Sequence, residues 1–260
     1  METEKYLPQH LHETSYKELV IKNSNMKFTR LCYSIILFTS LVCVGLVQAG
    51  GRSTEQGLGI EETKGTRHSE ESATTLKGLL NKLNALDTNF QQVVYSVDGE
   101  EIQQTSGQLQ AMRPGKVRWS TLPPMEQLVV SDSETLWIYD PDLEQVTIRS
   151  FDQDLSKTPA ALFIGNLDAL EQTYEIFQEQ NSSTEESPTT TFFLIPRNKE
   201  SLYTKIALGF TGNKPVSMSL WDTLEQKTHI AFNELQLNRP IAPEAFQFTP
   251  PEGTDIIHDM

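Results

Sequence analysis

Short segments in which apolar and polar residues alternate fill most of the chain after Phe90. Alternation with a period of two is typical of strands that bury one face. It predicts strands at 90–97, 107–112, 116–121, 127–131, 135–139, 145–148, 174–178, 190–194, 203–210, 215–221 and 227–235. Because turn residues rather than helices separate these segments, the pattern predicts an antiparallel sandwich or barrel and disfavours a doubly wound parallel sheet.

Before the predicted strands, leucines recur at the spacing that is typical of a helix. The leucines of this segment are Leu76, Leu79, Leu80, Leu83 and Leu86. Intervals of three and four residues place side chains on one face of a helix, and Ser72 or Thr74 can cap its start. The spacing predicts an amphipathic helix whose apolar face must cover another part of the protein.

Further segments interrupt or end the series of strands. They are a mostly apolar run over 156–166, a polar loop over 181–188, a helical turn over 243–246 and a closing strand over 247–249. In the first, Ser156 or Thr158 can cap a short helix, Pro159 suits its first turn, and Gly165 or Asn166 suits its end. The polar loop is typical of a hairpin tip. The run over 156–166 is therefore predicted to be a short helix with almost no polar face.

The first fifty residues contain the pattern of an export signal. Lys27 and Arg30 precede a mainly apolar run over 31–47, and Ala49 ends a small-residue cleavage site. We predict cleavage after Ala49. An export signal normally begins at the N-terminus of the translated protein, but the polar residues 1–25 precede this one. We therefore expect translation to start at Met26 and residues 1–25 to be a start extension that is not translated.

Two alternatives to a cleaved signal remain open. The apolar run is long enough to suggest an uncleaved anchor helix, although polar residues interrupt it. A lipoprotein signal at Cys43 is disfavoured because Val42, rather than a small residue, precedes the cysteine. With cleavage, the chain divides into a start extension (1–25), a signal peptide (26–49), a disordered lead-in (50–71) and one folded domain (72–260).

Composition narrows the class of function. The chain has 260 residues, 37% of them apolar, and a formal net charge of -14, which is typical of a globular protein. A protein with this negative net charge repels phosphate backbones and anionic lipid head groups. Nucleic-acid binding is therefore disfavoured. Both cysteines, Cys32 and Cys43, lie in the signal peptide, so thiol catalysis and disulfides are excluded from the exported chain.

Signatures of catalysis are hard to find in the sequence. It contains no glycine-rich phosphate loop and no nucleophile elbow. The histidines after the signal peptide are His68, His229 and His258, which do not have metal-ligand spacing. Asp140, Asp142 and Glu144 crowd one turn; a turn carrying solvated acids is favoured over a calcium site, because no glycine-bearing loop with further ligands follows.

A set of motifs along the strands identifies a family. Arg113-Pro114 is followed by Trp119, then by Leu136-Trp137 with Tyr139, and then by Glu144-Gln145. Further matching segments are Thr158-Pro159-Ala160 and Phe248-Thr249-Pro250-Pro251-Glu252-Gly253. In this order, from about 76 to 251, the sequence resembles the LolA family of periplasmic lipoprotein carriers.

The resemblance implies a half-open antiparallel β-barrel, apolar inside and closed by a lid of short helices. It implies a monomeric periplasmic chaperone that holds the acyl chains of outer-membrane lipoproteins. The cargo would come from a LolCDE-type ABC transporter and pass to a LolB-type receptor. No cofactor, metal or catalytic residue is expected. The alternatives are the lipid-anchored receptor of the same fold, a periplasmic hydrolase using Asp140, Asp142 and Glu144, and a sensor sharing the half-barrel.

The resemblance also suggests site residues. Arg113 matches the arginine that holds the family's lid shut; the alternative is a charge in a surface ion pair worth less than about 1 kcal/mol. Val117 lies at a rim position. The candidates for lining the cavity or lid are Leu79, Leu83, Val117, Trp119, Trp137, Leu162 and Phe163. Ordinary core packing is the alternative for the leucines, Phe163 and both tryptophans.

Overall fold

One sheet of thirteen strands organises the protein. The structure is a computed structural model that describes residues 67–68, 70–151, 161–165, 167–181 and 188–258. The chain divides into two units, 1–42 and 43–260, and all of these residues lie in the second. The signal peptide, the start extension and most of the lead-in fall outside the described residues. Within those residues, none of the helices is both long enough and apolar enough to span a membrane.

The elements are short and follow one another closely. The strands are β1 (Arg67–His68), β2 (Ala85–Tyr95), β3 (Glu101–Met112), β4 (Lys116–Thr121), β5 (Gln127–Asp132), β6 (Thr135–Asp140), β7 (Gln145–Ser150), β8 (Tyr174–Asn181), β9 (Thr189–Pro196), β10 (Tyr203–Thr211), β11 (Lys214–Asp222), β12 (Lys227–Leu237) and β13 (Asp255–His258). The helices are α1 (Glu70–Leu80), α2 (Ala161–Ile164), α3 (Leu170–Thr173) and a 3-10 helix (Pro243–Phe246).

The sheet is open. Its strand order is β1-β8-β9-β10-β11-β12-β2-β3-β4-β5-β6-β7-β13, so β1 and β13 are its two edges. The β7–β13 pair is parallel and the other pairs are antiparallel. The predicted fold class, a half-open antiparallel barrel with short helices, is confirmed. All eleven strands predicted between 90 and 235 are present, most of them longer than predicted.

Strand register separates the two faces of the sheet. Directly paired residues of neighbouring strands lie on the same face, and successive residues of a strand alternate between faces. Starting from Phe90, this rule defines an inner face. Its buried large apolar members are Leu86, Phe90, Val94, Leu109, Val117, Trp119, Val129, Leu136, Ile138, Ile176, Phe192, Leu194, Ile206, Leu208, Phe210, Met218, Leu220, Ile230 and Phe232.

The outer face of β4 to β6 is covered by the C-terminal segment. Phe246 of the 3-10 helix is 1% exposed, and this helix packs against β4 and β5. The ring of Phe248 lies 5.6 Å from that of Tyr139, and Arg118 Nη1 donates to the Ala245 carbonyl at 3.4 Å. β13 then extends the sheet beside β7. The part of the sheet formed by β4 to β6 is therefore packed on both faces, whereas β13 is exposed.

The outer face around β11 and β12 carries cations over aromatic rings instead. Lys205 Nζ lies 3.9 Å from the Trp221 ring centroid, and Lys227 lies 5.5 Å from the same ring. His229 is in a strand, as predicted, and its Nδ1 lies 2.8 Å from Ser219 Oγ. Burial and the nearby Lys227 lower the pKa of His229 below its usual value. These groups pack on the sheet's exterior, away from the inner face.

The first helix differs from the prediction. It begins at Glu70 and ends at Leu80, so Ser72 and Thr74 lie within it and the folded part starts before Ser72. Leu86 belongs to β2, where it pairs with Ala111. The helix ends early because a distant side chain holds the chain: Asn238 Oδ1 accepts from the backbone N–H groups of residues 84 and 85, at 2.8 and 3.2 Å.

The other short segments were predicted unevenly. The helical turn over 243–246 is confirmed, and α2 lies inside the segment 156–166, although 156–160 and 166 fall outside the described residues. β8 and β9 form the predicted hairpin, whose tip at 182–187 also falls outside them. The closing strand predicted at 247–249 is wrong, since the alternation there reflects Phe246 and Phe248 packing on the outer face. The last strand is β13, and α3 was not predicted.

We predict that Phe246→Ala destabilises the protein by about 3–5 kcal/mol, because it opens a cavity between the 3-10 helix and the sheet. Urea unfolding measures the change. The matched control is Leu224→Ala, since Leu224 is 72% exposed and its loss is expected to cost less than about 0.5 kcal/mol. Equal effects of the two substitutions would contradict the view that the C-terminal segment is part of the core.

Candidate functional site

Aromatic rings form the centre of the inner face. The rings of Phe90 and Trp119 have centroids 4.3 Å apart, and Phe192 meets Phe210 edge-on at 5.9 Å. Gly107 pairs directly with Phe90, and a Cβ at Gly107 would lie 2.8 Å from the Phe90 ring. It would also overlap the Ser120 carbonyl oxygen of the neighbouring strand β4, so glycine permits both the strand pairing and the ring packing. The result is a continuous apolar surface across the sheet.

The helices cover this surface. Leu162, Phe163 and Ile164 of α2 are buried, and the Phe163 ring stands edge-on to Phe232 of the inner face, with centroids 5.9 Å apart. α1 packs against β8 and α3 and buries Leu76 and Leu80 completely. The two predicted helices thus do place their apolar residues against the rest of the fold.

A single arginine joins the end of β3 to the covering segments. Arg113 Nε donates to the Leu83 carbonyl at 3.1 Å, Nη1 to the Gly165 carbonyl at 2.6 Å and Nη2 to the Leu162 carbonyl at 2.9 Å. The backbone N–H of Gly115 adds a bond to the Ile164 carbonyl at 3.0 Å. The guanidinium therefore bridges the turn after α1 and the short helix α2.

The acceptors around Arg113 are neutral. Burial lowers the pKa of Arg113, yet an arginine side chain stays charged in proteins. The ion pairs of Lys77 with Asp168 and of Arg197 with Glu175 do not involve Arg113, whose three guanidinium hydrogen bonds go to backbone carbonyls. The surface ion pair considered as an alternative is therefore not what the structure shows. Carbonyl acceptors can be exchanged for water without leaving an opposite charge unpaired.

The remaining candidates separate into two groups. Val117 and Trp119 lie on the inner face, and Leu83, Leu162 and Phe163 are buried beside it, while Leu79 is half-buried on α1. Trp137 pairs with Val130 and Ile148, whereas the inner-face residues of β6 are its neighbours Leu136 and Ile138. Trp137 is therefore on the outer face, and its candidacy as a lining residue is corrected.

The acidic turn is a structural feature. Asp140 Oδ1 accepts from the Leu143 backbone N–H at 3.1 Å, which stabilises the turn between β6 and β7. In the part of the chain that the structure describes, no group of three or more His, Cys, Asp or Glu side chains is placed to hold a metal ion.

Backbone groups of the site escaped prediction. The Leu83, Leu162 and Gly165 carbonyls that receive the Arg113 hydrogen bonds have no sequence signature, because every residue has a carbonyl. The cluster of apolar residues in 161–164 marked the helix, and Gly165 marked its end, but only the fold brings them within reach of Arg113.

The family model described as "Outer membrane lipoprotein carrier protein LolA" matches residues 81–249. The chain belongs to the LolA family. The match takes in β2 to β12 and the 3-10 helix, and therefore most of the inner face and Arg113. Members of the LolA family are named as carriers rather than as enzymes, which favours the carrier hypothesis over the hydrolase.

Relatives match over most of their length. The outer-membrane lipoprotein carrier protein of Hahella chejuensis is 39% identical over 184 residues, covering 71% of this chain and 87% of that protein. That of Azotobacter vinelandii is 38% identical over 190 residues, covering 73% and 89%. That of Pseudomonas aeruginosa is 37% identical over 194 residues, covering 74% and 91%. This LolA family member thus resembles those carriers nearly end to end.

We predict that Arg113→Leu loosens α2. Hydrogen bonds from a charged donor contribute about 1.5–3 kcal/mol each, so losing the bonds to Leu162 and Gly165 should raise local opening by at least about 100-fold. The Gly115 amide reports this opening, since it donates to Ile164. Its hydrogen exchange, measured by NMR, should accelerate accordingly.

The control is Arg118→Leu, because Arg118 is on the outer face and makes one long hydrogen bond, to Ala245. It should leave the Gly115 exchange rate unchanged. Unaltered protection of Gly115 in Arg113→Leu would show that Arg113 does not hold α2 in place.

Proposed function

We propose that this protein is a periplasmic carrier of outer-membrane lipoproteins. It accepts them from a LolCDE-type ABC transporter at the inner membrane and passes them to a LolB-type receptor at the outer membrane. The observation that carries the proposal is an apolar inner face under short helices, with one arginine bonded to neutral carbonyls of the cover. The names of the relatives agree with it.

The energetics favour a shuttle that exchanges one apolar contact for another. Transfer of a methylene out of water is worth about 0.8 kcal/mol, so ~40 methylenes correspond to roughly 30 kcal/mol. A carrier must offer shelter of similar strength, or the acyl chains would stay in the membrane. It does not itself supply the energy of extraction, which we assign to the ATP-driven transporter.

When no cargo is bound, apolar side chains of the covering helices shield the inner face from water. In the closed structure, Phe163 occupies apolar surface beside Phe232. An acyl chain that enters there replaces Leu162 and Phe163 by methylenes, so the apolar surface stays shielded. Arg113 is the gate in this scheme: its three hydrogen bonds hold the closed form and are given up when cargo enters.

The net charge and the predicted signal peptide both suit a protein that moves between the inner and outer membranes. The predicted signal peptide over 26–49 would deliver the protein to the periplasm. A net charge of -14 opposes adsorption to anionic lipid surfaces, which suits a monomeric shuttle. The receptor of the same fold would need a lipid anchor, which Val42 before Cys43 disfavours.

The test uses inner-membrane vesicles that contain the transporter and a labelled lipoprotein. With ATP and the purified exported chain, we expect labelled lipoprotein in the soluble fraction, bound to the protein. Addition of receptor-bearing outer-membrane vesicles should then move the label to them. Absence of soluble lipoprotein under these conditions would contradict the proposed function.

The gate is tested in the same assay. Arg113→Leu should still acquire lipoprotein but transfer it to the receptor at least about tenfold more slowly, because the closed form that expels cargo has lost about 1.5–3 kcal/mol per hydrogen bond. Arg118→Leu should behave as the unmodified protein. Normal transfer by Arg113→Leu would rule out its role as the gate.

A further inference from the structure

Two polar side chains face each other within the apolar inner face. Gln92 of β2 pairs directly with Thr105 of β3, and they are 4% and 8% exposed. Gln92 also pairs with Ile230 on β12. In the described part of the chain, Gln92 Oε1 and Thr105 Oγ1 have no hydrogen-bond partner.

Such groups destabilise the closed structure. A buried polar atom without a partner has lost its hydrogen bonds to water and gained none in return, and apolar side chains of the same shape would avoid that loss. Thr88, another buried polar residue of the inner face, shows the usual solution, since its hydroxyl donates to the Asn233 carbonyl at 2.7 Å. Gln92 Oε1 and Thr105 Oγ1 thus differ from the Thr88 hydroxyl, because they lack a hydrogen-bond partner among the residues that the structure describes.

The pair lies close to the place where the lid meets the inner face. Gln92 is the next inner-face position after Phe90 along β2, a separation of about 7 Å. Phe90 in turn pairs with Phe232, which the lid residue Phe163 contacts. A chain that displaces Phe163 therefore reaches the inner face next to both polar side chains.

We propose that Gln92 and Thr105 form a polar subsite for an amide-linked acyl chain. This inference rests on the proposed carrier function. A secondary amide offers one N–H donor and one carbonyl acceptor. Its N–H would donate to Gln92 Oε1, and its carbonyl would accept from the Thr105 hydroxyl. An ester linkage has no N–H, so it leaves Gln92 Oε1 unpaired and fits this subsite less well.

The test compares two synthetic lipopeptides with the same peptide. One has an S-linked diacylglycerol and an N-palmitoyl chain on its cysteine, and the other has the diacylglycerol and a free amine. In Gln92→Met combined with Thr105→Val, we expect binding of the triacyl probe to weaken by about tenfold relative to the diacyl probe. We also expect no loss of stability to urea, because unpartnered polar atoms are removed. Thr105→Val alone should give a smaller shift in the same direction. This single variant is used for the comparison if the double variant does not fold.

The control variant is Thr88→Val, which removes a partnered hydroxyl from the same face. It should lower stability and leave the triacyl-to-diacyl affinity ratio unchanged. An unchanged ratio in the Gln92 and Thr105 variants, with the unmodified protein binding both probes, would overturn the subsite. Failure of the unmodified protein to bind either probe would instead overturn the carrier function on which it rests.

Discussion

The apolar inner face of the sheet has to be shielded from water in every state of the protein. Burial of apolar area stabilises a fold by about 25 cal/mol per Å², so an uncovered face of aromatic and aliphatic side chains is not a stable alternative. The sheet is open and does not shield this face by closing on itself. Covering by short helices follows from that constraint, and exchange of this cover for acyl chains is the function we propose.

The outer face of the sheet binds the C-terminal segment, whereas the inner face binds the covering helices. On the outer face, Phe246, Phe248 and β13 fix the C-terminal segment to β4–β7, and that packing gives the sheet a firm support. On the inner face, the cover packs through apolar side chains such as Phe163, and its polar attachment is the set of backbone carbonyls that accept hydrogen bonds from the Arg113 guanidinium. Neutral acceptors make the attachment reversible, because water can replace each of them without leaving an unpaired carboxylate. The polar pair of Gln92 and Thr105 adds a place where cargo, rather than the protein, completes the hydrogen bonding.

The local sequence predicted the strands because most strands bury one face, and apolar and polar residues then alternate along them with a period of two. They failed where distant contacts decide the structure. Helix α1 stops at Leu80, since Asn238 captures the backbone beyond it, and alternation at 247–249 reflects packing rather than pairing. The choice between Trp119 and Trp137 needed the register of several strands, which no single segment contains. Arg113 was found through its motif, whereas its carbonyl partners were beyond any sequence signal.

The central claim, that the inner face holds acyl chains, is tested most directly by fluorescence quenching. The chain has 3 tryptophans: Trp119 on the inner face, and Trp137 and Trp221 on the outer face. In three variants that each keep one tryptophan and carry phenylalanine at the other positions, a lipopeptide with brominated acyl chains should quench Trp119 strongly on binding. The emission of Trp137 and Trp221 should change little. Quenching of Trp137 or Trp221 equal to that of Trp119, or binding without any quenching of Trp119, would contradict the account.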